Sequence, residues 1–98
     1  ANAWGLPFAV PLVGAKLVFP GAALDGASLF SLMDRERVKA AWGVPTIWLG
    51  LLAEMRKQKR KPQEFSFMLS GGSAVPRSMI QELEKEFGVD VTHGWGMT

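Results

Sequence analysis

The strongest constraint on what this chain can fold into is the stretch from Met68 to Pro76, where an apolar run stops at two glycines and a helical pattern follows. Phe65 to Leu69 is apolar enough for a strand buried on both faces, as parallel sheets require. Gly71 and Gly72 lack Cβ atoms, so the backbone can turn sharply there and approach a ligand closely. Pro76 suits a first helical position with Ser73 as a cap before it, and Met79, Ile80, Leu83 and Phe87 follow at helical spacing. Strand, glycine turn and helix start is the unit by which α/β sheets present ligands at the carboxyl ends of their strands. A plain tight connection would use the same two glycines.

The rest of the chain alternates in the same way, which predicts an α/β fold over 1–98 with a mostly parallel sheet of about four strands and helices packed on its faces. The expected strands are Lys16–Phe19, Val38–Trp42, Phe65–Ser70 and Val89–Thr92. Asp25 or Ser28 caps a helix running to about Arg37, with Leu29, Phe30, Leu32 and Met33 inward. Gly43 to Pro45 turns into a second helix whose core face is Ile47, Trp48, Leu51, Leu52 and Met55. Trp42 and Trp48 both read as core. Gly88 is the expected stop after Pro76–Phe87. Between Ala3 and Val13 a short helix fits if Pro7 lies in its first turn and Pro11 kinks it.

Composition narrows the function classes. With 48% hydrophobic and 20% charged residues the chain is globular rather than disordered. No apolar window reaches the roughly 18 residues that span a bilayer, so the protein is expected to be not membrane-spanning. There is no cysteine and one histidine, His93, so no metal site is expected, and the cysteine usage fits a reducing, cytoplasmic setting. A net charge of +2 is too small to argue for nucleic acid. The five basic residues between Arg56 and Lys61 read as a solvated helix end, nucleic-acid contact being the rival reading. The chain opens at Ala1-Asn2-Ala3-Trp4 and stops at Gly96-Met97-Thr98, which reads as an excerpt of something longer. Four strands would leave two open edges, so self-association is expected.

Several motifs fail on inspection. Gly71 to Val75 is not a nucleophile elbow, because Val75 stands where a second glycine is needed. Gly94-Trp95-Gly96 starts like a dinucleotide fingerprint and ends before a third glycine. What remains is two glycine turns at the ends of successive strands, on the same rim if the sheet is parallel. Trp95, between two glycines, reads either as a flat wall for a planar ring, with the first turn opposite, or as ordinary core packing.

Leu69 to Pro76, followed by His93-Gly94-Trp95-Gly96-Met97-Thr98, resembles two signature motifs of the acyl-adenylate-forming (AMP-binding) superfamily. Asn2 to Pro7, Val13 to Lys16 and Gly43 to Thr46 are similar to the medium- and long-chain fatty-acid coenzyme A ligases within it. The likeness covers the whole chain. It implies that the parent protein is an acid–CoA ligase, which activates a fatty acid with ATP and magnesium and passes the acyl group to coenzyme A. It implies that the chain is a piece of the large, flavodoxin-like N-terminal domain. By resemblance, Gly72, Ser73, Ala74 and Pro76 form one wall of the adenine pocket, and Trp95, where tyrosine is common, stacks on the other face. His93, Gly94 and Gly96 lie on the same nucleotide motif, His93 replacing what is often an amide. Thr98 matches the catalytic threonine that hydrogen-bonds the α-phosphate. Gly71 and Gly96 flank the acyl route, and Trp4 lines it or is a core residue.

The family's phosphate loop, magnesium glutamate, ribose aspartate and C-terminal lysine domain are not in this sequence. The resemblance therefore implies half a pocket: none of the ligands is expected to bind tightly to these residues alone, and the 98-residue piece is expected to be inactive. Two other readings stand beside it. One is a flavodoxin-like module that binds a nucleotide or aryl ligand without chemistry, and the other is a structural piece that self-associates.

Overall fold

The computed structural model describes residues 2–96. A 3₁₀ turn, Asn2–Gly5, leads into α1 (Leu6–Leu12); then come α2 (Gly26–Arg35), β1 (Ala40–Gly43), α3 (Pro45–Gln58), β2 (Phe67–Ser70), α4 (Arg77–Glu86) and β3 (Asp90–His93). The strands form one parallel sheet in the order β1-β2-β3, with Ala40, Phe67 and Asp90 level at one end and Gly43, Ser70 and His93 level at the other.

The sheet thus has three strands rather than about four. Lys16–Phe19 forms no strand: Gly14 and Gly21, both at positive φ, turn the chain on either side of it, and Phe19 is 60% exposed. A run this short, held by no buried side chain, has nothing to fix it against β1. Pro7 does lie in the first turn of α1, and Pro11 lies inside it.

Ion pairs weld α2, α3 and α4 into one layer. Arg56 of α3 holds Glu82 of α4 through two guanidinium nitrogens, and Arg60 holds Asp34 of α2 at 3.0 Å while lying 4.7 Å over the Phe30 ring. The basic run is therefore partly consumed in packing. Hydrogen bonds from Arg60 and from the Gln63 N–H lower the Asp34 pKa, and Arg56 lowers that of Glu82. Asp25 is the cap of α2, accepting from the Ser28 N–H at 3.0 Å, which lowers its own pKa. Ser73 does not cap α4; Pro76 occupies that position with no side-chain hydrogen bond.

The helical layer covers one face of the sheet. Met68 and Ser70, on one side of β2, are fully buried, whereas Phe67 and Leu69 on the other side are only half-buried. The core joins Leu29, Phe30 and Met33 of α2 to Trp48, Leu51, Leu52 and Met55 of α3, with Phe65, Met68, Met79, Leu83 and Val89. Each such side chain contributes about 1.5–3 kcal/mol of burial. Trp42 is half-buried on the opposite face, edge-to-face with Phe67 at 5.8 Å, and is not part of that core.

Candidate functional site

All three strands reach a glycine at their carboxyl ends. Gly43 closes β1, Gly71 follows β2, and Gly94 follows β3. The ladder runs one step beyond the strands: the Gly71 N–H donates to the Gly43 carbonyl at 3.2 Å, and the Gly94 N–H to the Ser70 carbonyl at 2.8 Å. Two of these three positions have no room for a side chain. A Cβ on Gly71 would lie 2.7 Å from the Gly94 carbonyl oxygen, and one on Gly43 would lie 2.6 Å from Cζ2 of Trp48. The result is a rim of bare backbone.

Past the rim the chain turns at Gly72, whose φ of 86° is a conformation that glycine adopts without strain. The turn leans on Val44, the residue after β1. Ser73, Ala74 and Pro76 are exposed, while Val75 packs against the core and anchors the loop before α4. His93 ends β3 level with Ser70, and Trp95 follows Gly94 with 84% of its surface exposed. Trp95 is thus not packed into the core formed by the described residues. Gly96 is open, with nothing within 4 Å of a Cβ placed there.

The structure thus brings Gly71, Gly72 and Gly94 together and sets Ser73, Ala74, Pro76, Trp95 and Gly96 on the loops leaving the same edge. Trp4 lies in the turn Asn2–Gly5, which packs mainly on α1, and it is 38% exposed rather than a core residue. Thr98 lies outside the described residues. The surface hollows along Pro20, Ala27, Ser31 and Arg35, and between Arg56, Lys59, Glu86 and Phe87, lie away from the strand ends. Among the described residues the rim is an open edge, with neither hollow reaching it.

The chemistry of this edge is narrow. Gly43–Pro45, Ser70–Pro76 and His93–Gly96 hold no Lys, Arg, Asp or Glu. Glycine backbone beside a free indole suits a planar, uncharged ring that can approach closely and stack. The nearest charge along the chain is Arg77, at the start of α4. Among the described residues no group of three His, Asp or Glu is placed to hold a metal ion.

Sequence reasoning missed Gly43 as a third member of the rim, although Gly43-Val44-Pro45 repeats the strand–glycine–proline–helix order of the second turn. It also passed over Ser70. That residue is fully buried, and serine at a strand end carries no signal of burial.

The whole chain, residues 1–98, matches the family model described as AMP-binding enzyme. It is 53% identical over 97 residues to a medium-chain-fatty-acid–CoA ligase of Ectopseudomonas oleovorans and 46% identical over 97 residues to a long-chain-fatty-acid–CoA ligase of Thermus thermophilus, covering 99% of this chain in each case. It is also 46% identical to a 3-methylmercaptopropionyl-CoA ligase of Ruegeria pomeroyi, again over 99% of this chain. The chain spans 18% of the length of each of these relatives. Among solved structures it resembles an anthranilate CoA ligase in complex with anthranoyl-AMP, with a TM-score of 0.71 and 23% identity over 85% of this chain and 16% of that one, a likeness of fold.

Proposed function

The chain belongs to the AMP-binding enzyme family, and from that premise we propose that it is an internal stretch of the adenylating domain of a fatty-acid–CoA ligase, forming the adenine-facing edge of its site. The observation that carries this is the uncharged glycine rim with Trp95 standing free beside it. In this reading Gly72, Ser73, Ala74 and Pro76 make one wall for the base, and Trp95 stacks on its other face. His93, Gly94 and Gly96 line the approach between them. Gly71 and Gly96 border the acyl group, with Trp4 contributing from the N-terminal turn, and Thr98 holds the α-phosphate oxygen.

Apart from Thr98 at the α-phosphate, these residues suit the adenine and supply no charged group for the other phosphates or for magnesium. ATP, when bound, supplies the leaving pyrophosphate that activates a carboxylate, and coenzyme A supplies the thiol that receives the acyl group. This chain's own part is to bind and orient the base and exclude water from one side of it. The clamp on the charged groups comes from the rest of the ligase, so the 98 residues alone do not turn over. No helix among the described residues is long and apolar enough to cross a membrane. We place the ligase in the cytoplasm.

Two assays test the reading. The longer protein carrying this stretch releases pyrophosphate when given ATP, magnesium and a medium- or long-chain fatty acid, and forms the thioester when coenzyme A is added. A product from aryl acids alone would move the substrate class, and no pyrophosphate from any acid would remove the ligase assignment. For the site, AMP quenches one tryptophan of that protein, and the quench disappears in Trp95→Phe. Retention of the full quench in the variant would take Trp95 out of the pocket.

A further inference from the structure

Basic residues gather at the end of the molecule opposite the glycine rim. α2 and α3 run back to the amino ends of β1 and β2, which are level at Ala40 and Phe67, so the chain leaving each helix passes the same edge. Residues 34–39 and 56–64 make up these two passages. Arg60 on Asp34 at 3.0 Å, and the Gln63 N–H on the same carboxylate at 2.9 Å, hold them together. The two passages carry eight basic residues against three acidic ones, whereas the whole chain is only +2. The remainder is therefore net negative.

Packing uses three of these cations. Lys39 pairs with Glu64, Arg56 with Glu82 and Arg60 with Asp34, and Glu36 is taken by Lys16. Arg35, Arg37, Lys57, Lys59 and Lys61 are in no ion pair among the described residues, and all but the half-buried Lys61 are exposed. Glu86 of α4 borders them, sharing a hollow with Arg56 and Lys59. The helix dipole accounts for Arg35 and Lys57, which lie in last turns, but not for the three that lie past the helix ends. Two of those three, Arg37 and Lys59, stand at positive φ, 53° and 57°, the conformation that Gly88 takes after α4. A cation there accepts backbone strain that glycine avoids.

We propose that this end docks on an anionic lipid surface. The choice of a bilayer rests on the ligase reading above, because a medium- or long-chain fatty acid partitions into membranes; the rest stands on the charge. No exposed large hydrophobic residue falls within 34–39 or 56–64, so the contact is electrostatic and reversible, with nothing to insert. The same stretches hold no aromatic residue on which a base could stack, which argues against single-stranded nucleic acid. In the docked protein the glycine rim faces away from the bilayer, open to water-soluble nucleotide.

Cosedimentation of the longer protein carrying this stretch with lipid vesicles tests it. The protein is expected to pellet with vesicles of phosphatidylcholine containing about one-third phosphatidylserine, not with phosphatidylcholine alone, and to be released as salt rises from about 0.05 to about 0.5 M. Two double variants remove equal charge. Lys57→Gln with Lys61→Gln lowers the partition coefficient about thirtyfold, from about fivefold per lysine, while Arg77→Gln with Lys85→Gln lowers it by less than about threefold. Lys59→Gly weakens binding about fivefold with no loss of thermal stability, the pattern of a cation kept for docking and not for capping. No pelleting with the anionic vesicles, equal losses in the two double variants, or unchanged binding by Lys59→Gly overturns the proposal. Tighter binding to duplex DNA than to the vesicles in the same low-salt buffer overturns the choice of partner. Pelleting is read without catalysis, so a failure here is distinct from a failure to release pyrophosphate.

Discussion

At Gly71 a single methyl group has nowhere to go. Its Cβ would press to 2.7 Å from the Gly94 carbonyl oxygen, and that oxygen is backbone in the neighbouring chain segment, unable to swing aside. Gly71→Ala is therefore expected to cost about 1–3 kcal/mol, as overpacking commonly does. Urea unfolding of the variant reads this loss directly. Gly96 is the control, because nothing lies within 4 Å of a Cβ there and it is not at positive φ. Gly96→Ala should leave stability within about 0.5 kcal/mol of the parent. Equal losses at the two positions would mean that the rim is not close-packed. Since both glycines are proposed to border the acyl group, the pair also separates fold from site: a change in acyl preference at Gly96 without loss of stability is a property of the pocket.

At the scale of elements, α2 and α3 touch through two glycines whose roles differ. A Cβ on Gly26 would lie 2.1 Å from the Gly50 carbonyl oxygen, while a Cβ on Gly50 would sit 3.7 Å from the Gly26 nitrogen, an ordinary contact. Gly26→Ala must push the helices apart and is expected to destabilise by about 3 kcal/mol, the upper end for overpacking. Gly50→Ala gains helix propensity in the interior of α3 and is expected to stabilise by up to about 1 kcal/mol. Thermal unfolding of the two variants should move in opposite directions, and a fall for both would sink this account. The same contact shows where the sequence is silent. The inward periodicity of Leu29, Phe30 and Met33 and of Trp48, Leu51, Leu52 and Met55 announced both helices and their faces, because burial selects residue type. Gly26 and Gly50 announced nothing, since only the crossing geometry makes a missing side chain necessary. Helix ends divide likewise. Gly88 stops α4 visibly, but the turns after α2 and α3 pass through Arg37 and Lys59 at positive φ, which their residue types do not betray. Lys16–Phe19 has strand composition without a partner to pair with. The glycine turns after β2 and β3 were legible because an apolar strand run ending in glycine punctuates the chain locally. Whether Trp95 faced core or solvent was not legible, for that depends on what the fold leaves uncovered.

For the whole molecule, the helical layer is tied together by carboxylates that are held charged. Asp34 and Glu82 have folded pKa values below those of the unfolded chain, so the unfolded state binds more protons as acid is added. Their contribution is fully present above the ordinary carboxylate range, near about pH 4, and is lost as pH falls through the lowered folded values. Asp34→Asn should therefore give a shallower fall in stability on acidification, read from urea midpoints at graded pH, and an unchanged slope would mean the Arg60 pair contributes nothing. That layer shields one side of the sheet only. On the other side Ala40, Trp42, Phe67 and Leu69 are half-buried, with Asp90 and Thr92 exposed beside them. Parallel sheets are ordinarily covered on both faces. Three strands of four residues make a patch of about 14 by 13 Å, or about 180 Å², from the usual strand spacing and rise. A stable interface takes about 800 Å² from each partner. The bare face is therefore too small to build a tight dimer, yet it is apolar, and the outer edges of β1 and β3 are unpaired among the described residues. We expect weak, concentration-dependent association of the isolated chain rather than one discrete oligomer. Sedimentation across a hundredfold range of concentration should show the average mass climbing without a plateau, and Trp42→Lys, placing a charge in the middle of the patch, should lower it. A clean monomer throughout would mean that the face and edges are tolerated in water as they stand, and a sharp dimer would mean that a larger surface than this sheet face takes part.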